Sequence, residues 1–139
     1  MARKKDYLEH LARVPMFSAC SKKELEQVAR MSEELDVPDG EVLVKEGTPG
    51  RDFFVIVDGK AAVTRKGKDV ATLGPADFFG ELALLDRAPR NATVTAAGPL
   101  RVFVLTQQSF HSLLASIPSL SNKVMVGMAR RLHELDANT

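Results

Sequence analysis

Apolar residues first recur at helical spacing. Tyr7, Leu8 and Leu11 mark one face of a segment over residues 3–12, which Pro15 interrupts. Ser21-Lys-Lys-Glu24 has the Ser-x-x-Glu form of a capping box, and Leu25, Val28 and Ala29 then give a second apolar face. The pattern predicts N-terminal helices over residues 1–39.

The texture changes at Val37-Pro38-Asp39-Gly40. Short β-prone runs follow at close intervals: Val42–Val44, Phe53–Val57, Ala61–Arg65, Val70–Leu73, Thr93–Ala96 and Arg101–Leu105. Glycine and proline separate them, as in Gly47-Thr-Pro-Gly50, Asp58-Gly59, Gly74-Pro75 and Gly98-Pro99. Many short strands with such turns predict an antiparallel sandwich or barrel over residues 40–105. Several runs are apolar on both faces, which suits sheets that close around a core and carry helices outside. Residues 79–86 break the β pattern, because Leu82, Ala83, Leu84 and Leu85 favour a helical turn. Breaks of this kind tend to sit at functional sites.

After Leu105 the helical period returns. Thr106 can cap a helix with Phe110, Leu113 and Leu114 on its apolar face, and Pro118 ends it. Ser119 or Ser121 then starts a last helix with a stripe of Leu120, Val124, Met128, Leu132 and Leu135. The fold class is therefore mainly β with flanking helices at both ends.

Composition narrows the classes. The chain has 139 residues, enough for one domain with a sizeable core. A net charge of +1 gives no global pull toward nucleic acid or anionic membrane. Cys20 is the only cysteine, so no intrachain disulfide can form, which fits a reducing compartment. The longest apolar run, Phe53–Val57, is far too short to span a bilayer. A cytoplasmic location, without membrane attachment, is expected.

The richest chemistry lies in Phe79-Gly80-Glu81-Leu82-Ala83-Leu84 and Pro89-Arg90-Asn91-Ala92-Thr93-Val94. Gly80 permits close backbone approach and opens a helical turn, whose leading N–H groups attract anions. Arg90 can grip phosphate oxygens through two parallel hydrogen bonds. Glu81 would repel that phosphate, so it must face another part of the ligand, such as a sugar hydroxyl. Read singly, Glu81 is an ordinary first-turn acid and Arg90 a surface ion-pair partner. Their convergence with Gly80 and Ala92 in one loop favours a shared site.

This segment resembles the phosphate-binding cassette of cyclic nucleotide-binding domains, the family of the catabolite activator protein, protein kinase A regulatory subunits and cyclic-nucleotide-gated channels. Gly40, Glu46-Gly47, Asp52-Phe53-Phe54-Val55-Ile56 and Asp58-Gly59 add to the likeness. It implies an antiparallel jelly-roll β-roll of eight strands. It implies Glu81 on the ribose 2′-hydroxyl, Arg90 on the cyclic phosphate, and phosphate contacts from backbone N–H groups near Leu82, Ala83 and Ala92, with Phe79 and Gly80 also among the ligand-binding residues. Val63 and Leu73 are the candidates for the wall behind the base. Two positions depart from the family pattern: Ala76 stands where glycine is common, and Asn91 follows the arginine. The Asn91 amide can reach either a base or the phosphate and leaves the base preference open; cAMP is the expected ligand and cGMP the alternative, with no further cofactor.

Signalling requires two states that bind the ligand differently. The last helix is the part expected to move, with Arg131, or else Arg130, reaching over the base. A solvated C-terminal turn, where arginine complements the helix dipole, would also account for both arginines. No helix-turn-helix is expected, hence no direct DNA binding; the ligand's effect would pass through a homodimer or a separate effector. Catalysis is not expected, because His10, His111 and His133 fall on three different helices without clustered acids. A pocket without ligand, serving protein interaction, is the remaining alternative.

Overall fold

The computed structural model describes residues 2–86 and 88–137, excluding the side chains of residues 2–4 and 137. Arg87, within the candidate cassette, lies outside the described residues. Helix α1 spans Ala2–Ala12, and a 3-10 turn follows over Pro15–Phe17. Helix α2 spans Lys22–Met31, and its capping box forms as expected: Glu24 N donates to Ser21 Oγ at 3.2 Å, and Ser21 N donates to Glu24 Oε1 at 2.8 Å.

Eight strands follow: β1 Glu33–Val37, β2 Val42–Val44, β3 Asp52–Asp58, β4 Ala61–Arg65, β5 Lys68–Leu73, β6 Phe78–Phe79, β7 Thr93–Ala96 and β8 Leu100–Thr106. They form two antiparallel four-stranded sheets, ordered β1-β8-β3-β6 and β2-β7-β4-β5. A second 3-10 turn, Glu81–Leu84, joins β6 to the loop before β7. Helices α3, Gln107–Ser116, and α4, Pro118–Ala137, complete the described residues.

The core has two compartments, and strand alternation feeds both. Phe53 and Val55 of β3, with Phe103 and Leu105 of β8, face the helices, where Tyr7, Phe17, Val28, Phe110 and Leu120 bury them. The intervening Phe54, Ile56, Val102 and Val104 face the roll interior with Val94 and Ala96. Successive strand residues point to opposite faces, so an apolar run buried on both sides reads as continuous. The expected double-sided runs are thus real.

Three local expectations need correction. Residues 33–37, assigned to the N-terminal helical segment, form strand β1. Its Glu-Glu-Leu-Asp face is exposed and only Val37 is buried, so hydrophobic periodicity carries no signal there; pairing with β8 makes it a strand. Phe79, placed in the helical break over residues 79–86, belongs to strand β6, whose two residues are too few to show a period. Pro118 opens α4 instead of Ser119 or Ser121. It also stands beyond the end of α3, where a missing N–H does no harm.

Helix α4 is anchored by its first half. Leu120 and Val124 are buried, and an added Cβ on Gly127 would lie 2.5 Å from Pro15 O and 2.7 Å from Met16 O. Glu24 secures the same end, accepting from Ser119 Oγ at 2.6 Å and Lys123 Nζ at 3.3 Å. Beyond that point Leu132 and Leu135 are exposed. No described helix is long and apolar enough to cross a membrane.

Candidate functional site

Gly80 leaves β6 with φ of +83°, a left-handed conformation that costs glycine little. The same residue must also lack a side chain. A Cβ there would collide with Arg90 Nη1 and come within 2.6 Å of Asp52 O. From the other side, a Cβ on Gly50 would lie 2.8 Å from Arg90 Nε and 2.9 Å from its Cζ. The Arg90 guanidinium therefore lies in a slot between two glycines. Arg90 Nη2 donates to Asp52 O at 2.7 Å. Its backbone is held too: Gly47 N donates to Arg90 O, and Arg90 N to Thr48 O, both at 2.8 Å.

Electrostatics mark the same residues. Burial pushes the Arg90 pKa down, while the Asp52 carboxylate opposes the shift; arginine nonetheless keeps its proton. Burial pushes the Asp52 carboxyl up against the pull of Arg90 and Arg51. Burial likewise raises Glu81, and the charge of Arg131 opposes it. Glu81 Oε2 is buried and has no hydrogen-bond partner among the described residues. A buried acceptor left in this state favours a donor supplied from outside the chain.

Glu81 and Arg90 line one cavity of about 710 Å³. Phe79, Gly80, Leu82 and Ala83 line it from β6 and the turn, and Asn91 and Ala92 from the loop before β7. Val63 and Leu73 contribute half-buried apolar wall from β4 and β5. Ten of the eleven sequence-predicted site residues thus meet. Arg131 does not line the cavity: it is exposed on α4 and pairs with Glu134 at 3.5 Å, reaching Glu81 only through its field. The Ala83 N–H donates to Gly80 O at 3.0 Å, so the turn already uses that amide internally. The N–H groups of Glu81 and Leu82 precede that first internal bond.

Sequence reasoning missed three contributors. Gly50 read only as part of a turn. Asp52 acts through its carbonyl, which has no side-chain signature. Arg65 lines the cavity and donates from Nε to Asn91 O at 2.9 Å, fixing the backbone next to Arg90. Among the described residues no group of three or more His, Cys, Asp or Glu could hold a metal ion.

Known proteins resemble this chain in sequence and in fold. The family model of the cyclic nucleotide-binding domain matches residues 34–116. The chain is 36% identical over 131 residues to a cAMP-dependent protein kinase regulatory subunit of Dictyostelium discoideum, covering 88% of this chain and 40% of the relative. A second such regulatory subunit, of Hypocrea atroviridis, is 32% identical over 97% of this chain and 29% of its own length. The chain thus spans less than half the length of these curated relatives. Among solved structures, the N-terminal domain of a transcriptional regulator from Streptomyces coelicolor A3(2) superposes with a TM-score of 0.84 at 28% identity, covering 92% of this chain and 95% of that one. A match over more than half the sequence, on a β-roll of the same fold, means that this chain belongs to the cyclic nucleotide-binding domain family.

Proposed function

We propose that the chain binds a cyclic nucleotide, cAMP foremost, as a non-catalytic regulatory module of the cytoplasm. One observation carries the reading: a buried carboxylate oxygen without a hydrogen-bond partner among the described residues shares a cavity with a glycine-slotted guanidinium. A cyclic nucleotide offers the complement, an anionic phosphate for Arg90 and a 2′-hydroxyl for Glu81. Arg90 retains donors beyond the one given to Asp52 O, so phosphate adds bonds without breaking that contact. Val63 and Leu73 would back the base. The regulatory domain of Toxoplasma gondii PKA, solved with cAMP, supports the choice of ligand: it matches at a TM-score of 0.69 and 30% identity, over 88% of this chain and 49% of that one.

The exposed half of α4, with Arg131, is the part that responds, and its readout passes to a second copy or an effector protein. The kinase regulatory relatives make a kinase the leading effector class. Asn91, exposed beside Arg90, keeps cGMP as the competing ligand.

Calorimetry with cAMP and cGMP, each on the wild-type chain and on Arg90→Ala, tests the reading. Two charge-assisted hydrogen bonds are worth about 3 kcal/mol or more together, so Arg90→Ala should weaken binding at least about 100-fold. Absence of heat with either nucleotide at millimolar concentration refutes it.

A further inference from the structure

The Glu81–Leu84 turn is tied to helix α3 as well as to itself. It is a single 3-10 turn, and its internal bonds use the carbonyls of Gly80 and Leu82: Ala83 N donates to Gly80 O at 3.0 Å, and Leu85 N and Asp86 N donate to Leu82 O at 3.0 and 2.8 Å. The carbonyls of Ala83 and Leu84 point to α3. Gln107 Nε2 donates to Ala83 O at 3.1 Å, and His111 Nε2 lies 3.2 Å from Leu84 O. A carbonyl oxygen only accepts, so His111 presents Nε2–H there. Residues 107 and 111 are one helical turn apart and share a face of α3.

Gln107 also ties in the other half of the site. Its backbone N–H donates to Arg51 O at 2.8 Å, and the next carbonyl, Asp52 O, accepts from Arg90. Gln107 thus holds the turn that carries Glu81 and the strand end that orients Arg90. Ala83 and Gln107 are both buried, so water cannot replace the bond between them cheaply; the bond from the exposed His111 to Leu84 O is partly buried. Neither Gln107 nor His111 lines the nucleotide cavity.

We propose that Gln107 and His111 are positioning residues for cyclic nucleotide binding, a two-donor clamp that sets the spacing of Glu81 and Arg90 without touching ligand. The inference rests on the nucleotide-binding reading above. The clamp also gives the cavity a rigid link to α3, and α3 leads directly into α4.

The test is a cAMP titration by calorimetry of the full chain, with Gln107→Leu, His111→Phe and His111→Gln beside wild type, and amide hydrogen exchange of each ligand-free protein. Leucine and phenylalanine fill the space but donate nothing; glutamine restores a donor at position 111. Gln107→Leu should weaken cAMP binding about tenfold, on the scale of one buried hydrogen bond, and His111→Phe about fivefold, because its bond is only partly buried. His111→Gln should recover most of the affinity. Exchange at Ala83 and Asp86 should quicken in the two donor-less variants while the core strands stay protected, which separates local loosening from general destabilisation. Wild-type affinity in both donor-less variants overturns the clamp, as does a His111→Gln variant no better than His111→Phe. A wild-type chain that takes up neither cAMP nor cGMP sinks the binding reading and the clamp's role with it; wild-type binding with unaltered variants sinks the clamp alone.

Discussion

Replacing Glu24 with glutamine measures how α4 is fastened to the rest of the protein. The carboxylate accepts from Ser119 Oγ at 2.6 Å, Ser21 N at 2.8 Å and Lys123 Nζ at 3.3 Å. These bonds, led by that from Ser119, hold its pKa down at about 2, against an ordinary value of 4.5, and outweigh the opposing effect of burial. Taken in full, that shift is worth about 3 kcal/mol at 1.36 kcal/mol per unit. Lys123 is 36% exposed, so solvent screens part of it, and about 1–2 kcal/mol is the expected loss at pH 7. Glutamine still completes a capping box, so α2 is spared and the loss reports on α4. The pH dependence follows from the sign of the shift. A carboxylate depressed in the folded state contributes fully above pH 4.5, and the contribution disappears as pH falls from there toward 2. Urea unfolding of both proteins at pH 7 and at pH 3 reads this out as midpoints at equal slope. The gap should narrow in acid. A gap equally wide at both pH values would show that Glu24 acts through shape and not through charge.

Two further substitutions separate fold from function. Ala76 has φ of +78°, within a turn in which Ala76 N donates to Ile56 O and Asp77 N to Gly74 O; left-handed alanine costs about 1–2 kcal/mol, partly offset by the entropy of glycine. Ala76→Gly should therefore raise the melting temperature by about 2–5 °C with cAMP affinity unchanged, and a lower melting temperature would contradict the strain. Burial raises the Glu81 pKa, so ionisation costs folded stability as pH rises from the usual carboxylate range through the folded value. Glu81→Gln should thus melt higher than wild type at pH 7, lose that gain in acid, and bind cAMP about tenfold or more weakly; a variant that is less stable at pH 7 would mean Glu81 has a structural partner.

The cassette was legible because its chemistry is contiguous. Gly80, Glu81 and Arg90 fall within one short stretch, and each residue type has a narrow set of uses there. The two-faced strands β3 and β8 were legible for a different reason: unbroken apolar runs such as Phe53–Val57 have few alternatives to burial on both sides. What stayed hidden acts through the backbone or through pairing. Strand β1 exposes Glu33, Glu34 and Leu35 and exists because β8 offers it a partner. Gln107 and His111 reach carbonyls 24 and 27 residues away, and no spacing rule announces a side chain aimed at a distant peptide group. Arg131 was drawn toward the cavity by its helical position, but its charge reaches Glu81 without its side chain entering the lining.

Two routes connect the cavity to α4, and their magnitudes differ. One is the field between Arg131 and Glu81. Arg131 is 47% exposed and already shares its charge with Glu134, so salt and water screen it, and exposed pairs of this kind contribute about 0–1 kcal/mol. The other runs through packed matter: the clamp from the turn to α3, then the short passage from Ser116 to Pro118 into a helix locked by Leu120, Val124 and Gly127. Close-packed elements transmit a shift because they have no slack to absorb it. The locked half of α4 resists displacement, since moving Gly127 means leaving a contact that no side chain could occupy. Past Met128 the helix has little packing to lose, with Leu132 and Leu135 in solvent. On the proposed reading, a change at the turn would tilt or fray that outer half at small cost, with the inner half as the pivot.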